Sequence, residues 1–224
     1  MKKNLTEVVF ILDRSGSMGG LESDTIGGYN SMMEKQKKEE GELLVSTVLF
    51  DDKIEVLHDR LTPDKIDKMT DKEYYVRGCT ALLDAIGRSV SHIATIHKYA
   101  REEDRPEKTL FIITTDGMEN ASREYNYAKV KELVEKHQKE DGWEFIFLGA
   151  NIDAISVAAN FGVDASHAVR YECDARGTKL NFKIMEKMVG FARKAKSRSE
   201  MGAACASADM LDEIREDYEN RGKG

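Results

Sequence analysis

The chain has 224 residues, 41% of them hydrophobic, a formal net charge of −7 at pH 7 and three cysteines. Length and apolar fraction suit one large α/β domain with a modest C-terminal extension, and the two prolines argue against long rigid linkers. The acidic balance disfavours sequence-independent nucleic-acid binding, which needs basic surface to displace counterions; Cys79, Cys173 and Cys205 lack a CxxC spacing and cannot all pair, which points to a reduced, cytoplasmic chain.

Lys2-Lys3 precede only five consecutive apolar residues, too few for a signal-peptide core or a membrane span. That run, Val8-Val9-Phe10-Ile11-Leu12, has the pattern of a buried parallel strand. It leads into Asp13-Arg14-Ser15-Gly16-Ser17-Met18-Gly19-Gly20, where one carboxylate and two hydroxyls stand on alternate residues among turn-forming glycines. A helix is predicted over 28–36, with Tyr29, Met32 and Met33 facing a sheet and Gly41 ending it. A second strand follows at 43–50, then a tight turn at Asp51-Asp52 and an alternating edge strand at 53–57. Residues 60–79 read as irregular, with Pro63 starting a short helical turn.

Leu82, Leu83, Ile86, Val90, Ile93 and Ile96 repeat at helical spacing over 81–99, and Thr80 stands at that helix's start. A strand over 109–115 ends in Asp116-Gly117, a polar loop covers 118–126, and a helix runs through Val130, Leu133, Val134 and His137. A fifth strand is predicted at 143–149, a short helix at 154–161 terminated by Gly162, an edge strand at 168–171 and a final core-packing helix at 180–196. The basic cluster from Arg193 to Arg198 reads as a solvated face at that helix's end. From Ser199 the chain is a charged, weakly amphipathic helical tail carrying Met210, Leu211, Ile214 and Tyr218. Strands alternating with helices predict a mostly parallel sheet with helices on both faces. No internal repeat or low-complexity segment interrupts it.

Asp13 and Asp116 thus close two candidate parallel strands, where open α/β sheets place their ligands. With Ser15, Ser17 and Thr80 they form an all-oxygen set, suited to a hard divalent cation, Mg²⁺ above all with Mn²⁺ tolerated, and poorly suited to zinc or copper. Each residue also has a purely structural reading: Asp13 and the serines as Asx and Ser turns, Thr80 as a helix N-cap, Asp116 as a turn former.

The combination resembles the von Willebrand factor type A domain and its metal-ion-dependent adhesion site, whose motif is Asp-x-Ser-x-Ser after the first strand, a Thr in a later loop and an Asp after the fourth strand. The motif falls on Asp13, Ser15, Ser17, Thr80 and Asp116 without departure, and the resemblance spans about residues 5 to 195 in element order. It implies a Rossmann-like, doubly wound six-stranded sheet ordered 3-2-1-4-5-6 with strand three antiparallel; with the charged tail, the chain is expected to divide into a domain over 1–198 and a tail over 199–224. It also implies a metal held directly by the three hydroxyls, and directly or through water by the two aspartates. The expected function is non-enzymatic capture of an Asp or Glu from a partner protein, with neither nucleic acid nor membrane involved.

The rim of such a site would include Asp51-Asp52, 74–77 and 119–123. Tyr74, Tyr75, Arg77 and Arg123 are candidate interface anchors, each also readable as a packed or solvated loop residue. Asn151 and Asp153 read better as helix caps than as site residues, and Cys79 as a small packed hydrophobe. The competing class is a Mg²⁺-dependent phosphohydrolase of haloacid dehalogenase type with Asp13 as nucleophile; those enzymes use Asp-x-Asp, and Ser15 stands where their general acid would be. Gly-x-Ser-x-Gly is absent around Ser15 and Ser17, and His92 and His97 lie five apart, the wrong spacing for a shared metal face.

Overall fold

The computed structural model describes residues 1–205, 207 and 209–221. Strand β1 (Lys2–Asp13) is followed by helix α1 (Glu22–Gln36), then strands β2 (Glu42–Phe50) and β3 (Ile54–Leu61) and helix α2 (Leu82–Tyr99). The second half runs β4 (Pro106–Thr115), α3 (Tyr127–Asp141), β5 (Glu144–Gly149), α4 (Ala154–Asn160), β6 (Ala168–Arg170) and α5 (Ala175–Lys194). Two further helices, α6 (Arg198–Cys205) and α7 (Asp209–Arg221), close the described chain.

The six strands form one sheet in the order β3-β2-β1-β4-β5-β6, with β2 and β3 antiparallel and every other pair parallel. This is the order and polarity the resemblance implied. Because side chains alternate across a strand, β1 feeds two cores. Val8, Phe10 and Leu12 pack with Tyr29, Met32 and Met33 of α1 and Met185, Met188 and Val189 of α5. Val9 and Ile11 pack on the other face with Leu82, Ile86 and Val90 of α2 and Val130 and Val134 of α3. Burying both faces of the central strands is what makes their sequence continuously apolar.

β1 pairs directly with β4, Leu12 opposite Thr114, so their carboxyl ends lie side by side where the strand order reverses. That is the crevice position for a ligand in this architecture.

Several elements differ from the sequence reading. Helix α1 starts at Glu22, earlier than the expected residue 28, because Gly27-Gly28 is helical rather than a break. A Cβ at Gly28 would lie 2.3 Å from Phe182 Cδ2, so the glycine lets α1 and α5 approach closely. Helix α5 likewise starts before residue 180, because Asp174 caps it by accepting the Gly177 N–H at 2.7 Å. Arg193 is not part of a solvated face: it is buried, and its guanidinium donates to the carbonyls of Gln36, Glu39, Glu40 and Gly41 at the end of α1.

The segment after Ser199 forms two helices. Met201, Cys205, Leu211 and Ile214 are buried in the same cluster as Val8 and Val169. Residues 206, 208 and 222–224 of that segment lie outside the described residues. Among the described residues, no helix is long and apolar enough to cross a membrane.

Candidate metal centre

Asp13 closes β1 and is 1% exposed. Its Oδ1 accepts the Ser15 N–H at 2.7 Å, so the chain folds over the carboxylate in an Asx turn. Its Oδ2 accepts the Thr115 hydroxyl at 2.6 Å and the Asp116 N–H at 3.4 Å, both from the end of β4. Burial raises the Asp13 carboxyl above its ordinary pKa; hydrogen bonds from Thr115 and Ser15 offset part of the rise, and the charge of Asp116 adds to it. A buried carboxylate in that state favours the approach of a cation.

The Ser15 and Ser17 hydroxyls lie 3.1 Å apart. Ser15 precedes a 3₁₀ turn over Gly16–Met18 but makes no side-chain cap bond there, and α1 begins after Leu21, which likewise gives none. The Gly16 N–H donates to the Gly78 carbonyl at 3.2 Å, tying this loop to the one that carries Thr80. Gly78 itself has φ +67°, a conformation that favours glycine.

Thr80 does not cap α2. The N-cap is Ala81, without a side-chain bond, and the first helical donors are met from the β4–α3 loop, Leu83 by Glu119 at 2.8 Å and Asp84 by Ser122 at 3.0 Å. The Thr80 backbone is fixed by Asn120, whose Oδ1 accepts its N–H at 2.9 Å. A Cβ built on Gly117 would lie 3.2 Å from Thr80 Oγ1 and 3.3 Å from Ser17 Oγ. The two hydroxyls therefore converge on the residue that follows Asp116.

Asp116 is 3% exposed. Its Oδ2 accepts the Cys173 thiol at 2.8 Å, while its Oδ1 is buried and has no hydrogen-bond partner among the described residues. Burial, then the adjacent Asp116 and Asp13 carboxylates, push the Cys173 thiol well above its ordinary pKa, which keeps it a donor. A buried acceptor left unpaired costs free energy unless a donor or cation meets it.

All five motif residues thus sit together at one end of the sheet. Two carboxylates and three hydroxyls, one carboxylate oxygen unpaired and the hydroxyls free of capping roles, fit a hard divalent cation. Among the described residues no group of three or more His, Cys, Asp or Glu is placed to hold a metal, so softer N/S chemistry has no rival centre.

The rim differs from expectation in several places. Tyr74 is fully buried and its hydroxyl donates to the Asp13 carbonyl at 2.6 Å, so it supports the loop and presents no surface. Asp51 is buried too, held by Arg14 Nε at 2.9 Å and Arg77 Nε at 2.8 Å. Tyr75 is 40% exposed, with the guanidinium carbons of Arg14 and Arg77 5.3 and 5.0 Å from its ring centroid. Arg123 is exposed, and Cys79 is exposed rather than packed. Asp153 caps α4 by accepting from Ser156, as its sequence position suggested.

Sequence reasoning missed Arg14, Thr115 and Cys173. Thr115 was the most findable, since it directly precedes Asp116 on a strand already recognised. Arg14 occupies the motif's variable position, and Cys173 reaches the site from a distant connection.

No family model matches the chain, and no curated protein matches it in sequence. Similarity appears among solved structures. Von Willebrand factor type A from Catenulispora acidiphila superposes with a TM-score of 0.55 at 16% identity, over 85% of this chain and 43% of that one. Proximal thread matrix protein 1 from the mussel byssus gives 0.54 at 16% identity, over 86% and 48%. Its form with a zinc occupied MIDAS motif gives 0.55 at 15% identity, over 84% and 46%. This chain therefore spans less than half the length of these structures. Strand order, the antiparallel edge strand and these superpositions agree: the chain has the von Willebrand factor type A fold.

Proposed function

We propose that this chain is a non-enzymatic interaction module that holds Mg²⁺, or Mn²⁺, at Asp13, Ser15, Ser17, Thr80 and Asp116 and captures an acidic side chain of a partner protein. The observation that carries the reading is the buried Asp116 Oδ1 without a partner, beside hydroxyls that no helix uses as caps. Folding alone gives no reason to gather those oxygens. The zinc occupied MIDAS motif of the mussel protein supports a divalent ion at the corresponding position of this fold.

Ser15, Ser17 and Thr80 would supply neutral oxygens, and Asp13 and Asp116 the only two formal charges. A divalent ion so held keeps an electrophilic position that a partner's carboxylate can fill. Asp13 is fixed by three donors and Asp116 by the thiol, so the set is arranged before any partner arrives. Tyr75, Arg77 and Arg123 lie on the loops around the site and would meet the partner's flanking surface. A phosphohydrolase of haloacid dehalogenase type would carry its second carboxylate two residues after Asp13; that position is Ser15, whose hydroxyl lies 3.1 Å from that of Ser17.

Calorimetry with Mg²⁺ on the wild type and Asp13→Ala tests the metal. Binding by the wild type alone is expected, and equal heats for the two proteins would overturn the site. Partner capture should be lost with chelator and with Thr80→Ala while the variant stays folded. A complex that survives both would move recognition away from the metal, and turnover of a phosphate ester abolished by Asp13→Asn would favour the enzyme.

A further inference from the structure

The connection between β6 and α5 is built as a pedestal. The Tyr171 N–H donates to the Gly149 carbonyl at 3.1 Å, which anchors the connection beside β5. Two residues past Cys173's neighbour Glu172, Asp174 caps α5, and a Cβ at Gly177 would lie 1.9 Å from the Glu172 carbonyl oxygen. Only glycine lets the first turn of α5 fold back so closely. Cys173 is therefore held from both sides, half-buried, with its sulfur 2.8 Å from Asp116 Oδ2.

We infer that Cys173 is a positioning residue of the metal centre: its thiol holds one oxygen of Asp116, so that the other, the unpaired Oδ1, is presented to the cation. This rests on the metal reading above. An Asp carboxylate rotates broadly about its terminal torsion, and Asp13 shows how the fold restrains one, through several donors. Among the described residues, Asp116 has the single side-chain donor Cys173. Its other oxygen is buried and unpaired, so the orientation of that carboxylate depends on the thiol. Partners that orient a ligand from behind are worth roughly tenfold or more in metal affinity.

Mn²⁺ binding, followed by the EPR signal of the free ion, should be measured for the wild type, Cys173→Ala, Cys173→Ser and Asp116→Ala, beside the melting temperature of each without metal. Cys173→Ala should weaken Mn²⁺ binding about tenfold, and Cys173→Ser, which keeps a donor at that position, should stay within about threefold of the wild type. Asp116→Ala should abolish it. If Cys173→Ala binds as the wild type does while Asp116→Ala does not, the metal reading stands and the positioning role falls. If Ser and Ala variants weaken binding equally, or weaken it only in step with a lowered melting temperature, the sulfur acts by packing and the positioning role is overturned. A wild type that binds no Mn²⁺ overturns the metal reading and this inference together.

Discussion

Arg14 stands between the two ends of the Asp13–Ser15 turn, and every arm of its buried guanidinium is engaged. Nε meets Asp51 at 2.9 Å, one terminal nitrogen meets Glu55 at 2.8 Å and the other meets the Glu73 carbonyl at 3.1 Å. Burial alone would raise the Asp51 carboxyl, but the hydrogen bond from Arg77, the Lys53 N–H and the charge of Arg14 outweigh it and hold the group below its ordinary value. Arg14→Met should cost about 3 kcal/mol in urea denaturation, the low end for a broken buried pair because Arg77 still meets Asp51. A loss below about 1 kcal/mol would mean that Arg77 alone suffices, since exposed pairs contribute no more than that. The gathering of the five motif residues at one end of the sheet was legible because they lie in short local stretches: alternate oxygens after an apolar strand, a Thr before an amphipathic helix, an Asp-Gly after a second strand. Arg14 was not, because nothing local distinguishes a buried arginine from a solvated one. Cys173 was not, because its place depends on where a three-residue strand docks.

At the scale of elements, the β4–α3 loop and the start of α2 cap each other across the sheet edge. Glu119 accepts from the N–H groups of Leu83, Ala121 and Ser122, and Ser122 Oγ accepts the Asp84 N–H. Asp84 in return accepts the N–H groups of Arg123, Glu124 and Tyr125 at 2.8–2.9 Å. This reciprocity leaves the Thr80 hydroxyl free of capping and fixes Thr80 relative to Asp116. Asp84→Ala would leave three loop donors without their acceptor, and each unmet buried donor costs about 1–3 kcal/mol where water cannot replace it. The loop is only partly buried, so a total loss of about 2 kcal/mol is expected. Amide exchange over 119–126 should accelerate while β1 stays protected; unchanged exchange there would show that the loop is held without Asp84. Such cross-element capping is invisible to a reading that looks for caps in the adjacent sequence, which is why Thr80 resembled an ordinary N-cap. Strand and long-helix positions were legible because two buried faces force continuous or helically spaced apolar residues. The starts of α1 and α5 were not, because Gly28 and Gly177 serve close approach there instead of ending helices.

Across the whole molecule, the two cores differ in what completes them. The face under α1 and α5 also takes in Met201, Cys205, Leu211 and Ile214 of α6 and α7, and ion pairs reinforce that layer, Lys183 with Glu213 at 2.8 Å and Arg176 with Asp217 at 2.7 Å. So few apolar positions among so many charges hid this packing in the sequence. The same core encloses a titrating group. His58 is buried, its Nδ1 lies 3.2 Å from the Tyr29 hydroxyl, and the Tyr29 hydroxyl lies 2.7 Å from Thr47 Oγ1. Burial lowers the His58 pKa, and the charges of Asp67 and Glu73 only partly oppose the shift. With the folded value depressed, the unfolded chain binds the proton first, so the stability His58 contributes is present above the ordinary value of about 6.5 and is lost as pH falls towards the folded one. The loss is bounded at about 1.4 kcal/mol per pH unit. Acidification also relieves the self-repulsion of a chain with net charge −7 and a pI near 5.4, an opposing effect shared by any variant of similar charge. Comparing urea denaturation of the wild type and His58→Gln from pH 8 to pH 5 cancels that shared effect. The difference between them should be constant above pH 7 and should move against the wild type below pH 6.5, whereas parallel curves throughout would show that His58 takes up its proton as readily folded as unfolded.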